Sequence, residues 1–217
     1  MSDTPGQHSA REPSRANRMP APSDRFDAVL IAGGGGRRLG GVDKPGLQLG
    51  DQQLLDRVLD AAVGAEHRIL VAGSDQPSAD RAEDSGRYPD LIRCTEQPPG
   101  SGPLSALLTG ARLTAAPTVL ILAGDLPFIA PAIVPLLRGC ATGPAVLVDS
   151  DGRANLLASA WPRNTLLARL EHIGDPTNQP MRRLIEGVDW TSVPDLGGWG
   201  EDCDTWADVE RARDLLR

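Results

Sequence analysis

Residues 30–47 read LIAGGGGRRLGGVDKPGL, an apolar run entering four glycines, a pair of arginines and then Lys44 followed by Pro45. Glycines directly after a buried strand let backbone N–H groups approach and converge on phosphate oxygens. Arg38 and Lys44 bring positive charge to the same short segment, so a loop of this kind can hold the phosphates of a nucleoside triphosphate. Lys44 is the one lysine among 22 basic residues. A general preference for Arg accounts for most of that imbalance, but not for where the exception falls. Lysine supplies a compact ammonium on a flexible stem where arginine presents a planar fork. Two familiar phosphate loops are excluded by register. A G-x-G-x-x-G reading from Gly33 or Gly34 puts Arg38 or Leu39 where the last glycine belongs. A Walker loop fails because Lys44 stands between Asp43 and Pro45.

A second centre is the run TVLILAGDLPF (118–128), in which Asp125 ends an apolar strand pattern. Strand-end aspartates often only form turns. At the rim that carries the glycine loop, however, this one could bind a Mg²⁺ bearing phosphate oxygens, since Mg²⁺ takes one or two carboxylates and fills its octahedron with phosphate and water.

These residues need elements to hold them, and the chain supplies an alternation of strands and helices from residue 26 onward. FDAVLIAG, HRILVAG, DLIRCTE and TVLILAGD read as buried strands. LLDRVLDAAVGA repeats its apolar residues on one helical face, PLSALLTGARL opens with Pro103 in its first turn, and PAIVPLLRG follows as a short helix. AVLVDSDGRANLLASAW reads as two strands joined by Asp151-Gly152. NTLLARLEHI, PMRRLIEG and WADVERARDLLR read as helices and VDWTSV as a strand, with Thr205 and Asp208 spaced as a capping box. The expectation is a single three-layer α/β/α domain over residues 25–217 with a mostly parallel sheet. Ligands in such sheets sit beyond the C-terminal strand ends, so the glycine loop and Asp125 should share one rim.

Composition narrows the classes. The net charge of −7 argues against a broad nucleic-acid or anionic-membrane surface, and no apolar run approaches the roughly 20 residues of a spanning helix. Cys94, Cys140 and Cys203 lie far apart without metal spacing, which suits a reducing cytoplasm. Residues 1–24 lack a hydrophobic core, are rich in Pro, Ser and charge, and read as a disordered tail. His8, His67 and His172 form no nucleophilic arrangement with the other residues.

AGGGGRRLGGVDKPGL resembles the signature A-G-G-x-x-x-R-[ML]-G-x-D-K of the molybdenum cofactor guanylyltransferase family, with one further residue before Asp43; these are nucleotidyltransferases of a Rossmann-like, glycosyltransferase-A-like α/β fold. PPGSGPLSAL (98–107), LAGDLPF (122–128) and EDCDTWADVERA (201–212) match further family segments in order. The resemblance implies Mg²⁺-dependent transfer of GMP from GTP to molybdopterin, with pyrophosphate released. It makes Arg38, Lys44 and Asp125 catalytic and assigns nucleotide contacts to Ile31, Ala32, Gly33, Gly34, Gly35, Lys44, Ser74, Glu96 and Gly102. Asp125 and Asp202 would bind the metal, and Asp149, Asn155 and Asp204 would face the acceptor. Relatives place an asparagine after the second strand; Ser74 or Asp75 stands there in this chain. Glu96 suits the two donors on a guanine edge, whereas cytosine offers one, which favours GTP over CTP. The alternatives are cytidylyl or another nucleotidyl transfer to molybdopterin or a different phosphorylated acceptor, or a nucleotide-binding protein without catalysis. A Rossmann oxidoreductase is disfavoured by the failed fingerprint.

Overall fold

The structure, a computed structural model, describes residues 25–33 and 41–217. The expected tail over residues 1–24, together with Gly34, Gly35 and Arg38, lies outside the described residues. The strands are β1 (Phe26–Ile31), β2 (Gln48–Leu49), β3 (Gln52–Gln53), β4 (Arg68–Val71), β5 (Leu91–Cys94), β6 (Thr118–Ala123), β7 (Ala145–Val148), β8 (Ala154–Pro162) and β9 (Thr191–Pro194). The helices are α1 (Leu54–Ala61), α2 (Pro77–Asp84), α3 (Pro103–Ala111), α4 (Ile133–Gly139), α5 (Arg163–Ile173) and α6 (Trp206–Leu215).

Seven strands form one sheet in the order β5-β4-β1-β6-β8-β7-β9, and β2 with β3 makes a separate small hairpin. In the large sheet β8 alone runs against the rest, because the turn at Asp151–Gly152, with Gly152 at φ +81°, folds it straight back on β7. The mostly parallel three-layer architecture is therefore as the alternation of elements predicts. Pleating divides β1 between two cores: Phe26, Ala28 and Leu30 face the helices α1, α2 and α4, while Val29 and Ile31 face α3 and α5.

Three elements depart from the sequence reading. The helix α2 is unannounced by periodicity because it buries only Ser78, Ala79 and Ala82, residues too small and too few to mark a face. PMRRLIEG yields just a 3-10 turn over Met181–Leu184, hemmed in by Pro180 and by Gly187 at φ +71°. The last strand is limited to Thr191–Pro194.

Close approach of α3 to the sheet rests on one glycine. A Cβ at Gly110 would stand 2.6 Å from Val29 Cγ1 and 2.9 Å from Val71 Cγ2, so any larger residue would lift the helix off β1 and β4.

The buried aspartate of β1 has a structural assignment. Asp27 is fully buried, and its carboxylate accepts from the N–H groups of Ala115 (2.6 Å), Ala116 (2.8 Å) and His67 (3.1 Å). It thereby ties the α3–β6 and α1–β4 connections to the edge opposite the candidate site. Asp27→Ala deprives three N–H groups of their acceptor, that of Ala116 in a fully buried position, and should cost roughly 1–3 kcal/mol of stability. The check is a lower denaturation midpoint at unchanged slope, with catalytic rate unaffected.

Candidate active site

The residues singled out by sequence gather beyond the C-terminal strand ends. Ala32 and Gly33 follow β1, Ser74 follows β4, Glu96 follows β5, Asp125 follows β6, Asp149 follows β7, and Asn155 opens the reversed β8. The β1 and β6 ends touch: Gly124 N–H donates to Ile31 O at 2.9 Å, and a Cβ on Gly124 would lie 3.0 Å from the Ala32 Cβ.

At the centre, the Lys44 ammonium forms ion pairs with Asp125 and, at 2.6 Å, with Asp204. The side chains are 11% exposed for Lys44, 21% for Asp125 and 41% for Asp204, so the contact is partly shielded from water. Burial alone would lower the Lys44 pKa, but Asp125 and Asp204 together outweigh it and hold the ammonium above its usual range. Asp202 joins the group: one oxygen from each of Asp125, Asp202 and Asp204 lies within 4.8 Å of the others. Burial first, and then repulsion from Asp204 and Asp125, pushes the Asp202 carboxyl up. Among the described residues, three carboxylates meet one ammonium, a formal excess of two negative charges on hard oxygen donors. That donor set fits a divalent cation of the Mg²⁺ type.

Local sequence explains the convergence. In the extended run Asp202-Cys203-Asp204, alternate side chains point the same way. Cys203 turns inward to pack with Leu49, Leu54, Val209 and Ala212, so both aspartates face the site. Burial raises the Cys203 thiol to about 11, which keeps it protonated and inert. Thr205 then closes a capping box with Asp208 at the start of α6, as the spacing predicts.

Two positioning residues were invisible in the sequence. Asp43 accepts from Ser78 N (2.7 Å) and Ser78 Oγ (3.0 Å), fastening the segment before Lys44 to the first turn of α2. Gln76 accepts from Gly73 N (3.2 Å) and donates to Ala32 O (3.0 Å), joining the loop after β4 to the end of β1. The only local signals were the Asp-Lys-Pro order and a Gln before a helix-starting Pro.

Glu96 accepts from Gly100 N at 2.7 Å through one oxygen, while its other oxygen is buried without a hydrogen-bond partner among the described residues. Gly102, at φ +97°, opens α3, and Ser101 O accepts from Asn178 N at 2.7 Å. Ser74 is exposed in the loop after β4. Beyond β7 and β8 lies a cavity of about 520 Å³ lined by residues that include Asp149, Asn155 and Asp202. Asn155 donates to Gly200 O (3.1 Å) and accepts from Leu157 N (3.1 Å), so its amide also braces the cavity wall. Asp204 belongs to the Lys44 cluster.

Residues 28–193 match the family model described as the MobA-like NTP transferase domain. The chain belongs to this family. Nucleotidyl transfer is the family's chemistry. Among its relatives is the molybdenum cofactor guanylyltransferase of Mesorhizobium japonicum, 32% identical over 165 residues that cover 73% of this chain and 77% of that one. The molybdenum cofactor guanylyltransferase of Acidiphilium cryptum is 36% identical over 138 residues, covering 62% of this chain and 66% of the relative. In fold, the transferase resembles the molybdopterin-guanine dinucleotide biosynthesis protein A of Archaeoglobus fulgidus, with a TM-score of 0.67 at 18% identity over 88% of this chain and 98% of that one. A nucleotidyl transferase from Methanothermobacter gives a TM-score of 0.70 at 24% identity, over 88% and 97% of the two chains.

Proposed function

We propose that this chain is a Mg²⁺-dependent guanylyltransferase that joins GMP from GTP to the phosphate of a molybdopterin-type acceptor and releases pyrophosphate. The observation that carries this reading is the Lys44–Asp125–Asp204 contact, which adjoins the cavity beyond β7 and β8 through Asp202. Relatives named molybdenum cofactor guanylyltransferases support it. Residues 25–217 are the catalytic domain in this reading. Both reactants are small molecules, and the unpaired Cys94, Cys140 and Cys203 suit the cytoplasm. No helix of the described residues is long and apolar enough to cross a membrane.

In the reaction an acceptor phosphate oxygen attacks the α-phosphorus of GTP. A new P–O bond forms while the bond to the bridging oxygen breaks, and its electron pair leaves with pyrophosphate. Attacker and target are both anions, so the main task of the protein is to neutralise and align them. Lys44 turns from Asp204 toward the α-phosphoryl oxygens and stabilises the charge that grows there. Backbone N–H groups of the glycine segment beginning at Gly33 and the Arg38 guanidinium receive the departing pyrophosphate. Asp125 and Asp202 would hold Mg²⁺, which when bound supplies positive charge between the phosphates. Ser74 and Gly102 border the nucleoside.

Base choice falls to Glu96. A carboxylate oxygen buried without a donor is unfavourable until a ligand provides one, and guanine offers adjacent N–H groups. Pyrophosphate release should therefore be fastest with GTP when each of the four triphosphates is supplied with Mg²⁺ and molybdopterin. Glu96→Gln should lower kcat/KM for GTP by about 10- to 100-fold, the worth of one hydrogen bond to a charged group. Faster release with CTP would transfer the reading to cytidylyl transfer, and no release with any triphosphate would refute it.

A further inference from the structure

The cavity beyond β7 and β8 carries an assignment for Arg211 on α6. Its walls include five carboxylates, Asp149, Asp195, Glu201, Asp202 and Asp208, against the guanidiniums of Arg153 and Arg211. On that inventory it looks hostile to an anionic acceptor. The hydrogen bonding reverses the impression.

Three of the five carboxylates are already engaged by the protein's own donors. Asp149 accepts from the N–H groups of Asp151 (2.9 Å) and Arg153 (2.8 Å) across the β7–β8 turn. Asp195 accepts from Gly197 (3.1 Å), Trp199 (2.8 Å) and Gly200 (2.9 Å), shaping the loop after β9. Asp208 accepts from Thr205 N and Thr205 Oγ1, both at 2.8 Å, as part of the α6 cap. Each of these anions thus has at least one oxygen engaged by the protein's own N–H or O–H donors, although all three still border the cavity.

Asp208 has a second oxygen, and Arg211 one turn further along α6 takes it: Arg211 Nη2 lies 2.8 Å from Asp208 Oδ1. On its other side Arg211 Nε lies 3.5 Å from Glu201. A guanidinium carries five N–H donors. These contacts use the Nε side and one Nη2 hydrogen, which leaves the Nη1 amino group without a partner among the described residues. The side chain is thus fixed through a fork whose base is itself locked by a helix cap. It shares the cavity wall with Asp202, the exposed member of the carboxylate cluster.

We infer that Arg211 grips the phosphomonoester of the acceptor, with Asp208 as the positioning residue that holds it in aim. The inference rests on the acceptor reading proposed above and assigns it a residue. A planar fork matches two phosphate oxygens at once. With two oxygens taken by Arg211, the third is left to face the α-phosphorus beside Asp125 and Asp202. Leu157 and Met181 line the same cavity and give a flat pterin an apolar surface.

The test uses the full chain with Arg211→Ala, Arg211→Lys, Asp208→Asn and Thr205→Ala. Arg211→Ala should raise KM for molybdopterin by about 10- to 100-fold, the scale of a charge-assisted bidentate contact, and leave KM for GTP within about twofold. Arg211→Lys should recover part of the loss, and Asp208→Asn should fall between. Thr205→Ala removes the Oγ1 contact to Asp208 but keeps the backbone N–H donor at that position and the Asp208–Arg211 pair, so it should change KM for molybdopterin by no more than about twofold. Equal effects of Thr205→Ala and Arg211→Ala would reduce Arg211 to a part of the helix and overturn the proposal, as would an unaltered KM in Arg211→Ala. A second readout is equilibrium binding of molybdopterin and its dephosphorylated form without nucleotide. The wild type should prefer the phosphorylated form, and Arg211→Ala should abolish the preference. If the wild type binds with that preference yet releases no pyrophosphate, the functional reading fails while the Arg211 assignment stands. If it shows no preference, the assignment fails whatever the activity.

Discussion

Lys44→Ala is expected to lower kcat for nucleotidyl transfer by about 100- to 1,000-fold, the loss that follows removal of one preorganised donor from a developing oxyanion. KM for GTP should rise less, because the backbone N–H groups of the glycine segment still hold the phosphates. The same substitution has a less obvious effect on the protein without nucleotide. The Lys44 ammonium lies against Asp125 and Asp204, two members of the carboxylate cluster, where it competes with any dication. Removing it takes one positive charge from three carboxylates whose oxygens lie within 4.8 Å of one another. Mg²⁺ alone should then bind more tightly and stabilise the variant more than the wild type, visible as a larger shift in Tm on adding metal. A variant that is slow yet metal-hungry is the signature expected. Wild-type kcat in Lys44→Ala would remove the basis of the enzyme reading.

Asp125→Asn should be more damaging, with kcat reduced by at least about 1,000-fold, since an anionic metal oxygen contributes several kcal/mol to charge stabilisation. The amide keeps the shape of the side chain but not its charge, so the β6 end should remain in place and far-ultraviolet circular dichroism should be unchanged. Raising the metal concentration should restore only part of the rate, because the neutral ligand also weakens the hold on Lys44. The decisive measurement is single-turnover pyrophosphate release across a Mg²⁺ titration. If Asp125→Asn retained more than about a tenth of the wild-type rate, the metal assignment would fail, since a lost carboxylate ligand is worth far more than that.

How far the site could be read in advance depended on the range of the interactions. Lys44 and Asp125 were visible because each is marked locally, one by its residue type beside a glycine run and the other by its place at the end of a fully apolar strand. Parallel-sheet physics then required that both share a rim. Asp202 and Asp204 were legible as a pair but not in their division of labour. Cys203, by its burial, turns both carboxylates to the side of Asp125, where Asp204 also meets Lys44. Asp43 and Gln76 escaped notice because their partners, Ser78 and Ala32, lie 35 and 44 residues away. The helix that carries Ser78 also leaves almost no apolar trace. No role for Asp27 could be read from FDAVLIAG, since its acceptor role depends on N–H groups 88 and 89 residues distant. Strand alternation gave the mostly parallel sheet, but it could not say that β8 would insert between β6 and β7.

The small cluster formed by Leu49, Leu54, Cys203, Val209 and Ala212 stands apart from the two cores that sandwich the sheet. Its cohesion rests on α6, the β2–β3 hairpin and the start of α1, with Phe128 from the segment after β6 packed at its margin. Few apolar contacts mean a low local cost of opening. The arm bearing Asp202 and Asp204 is therefore seated by a packing unit of its own, and a substitution there would loosen these two carboxylates before it disturbed the register of β1 and β6.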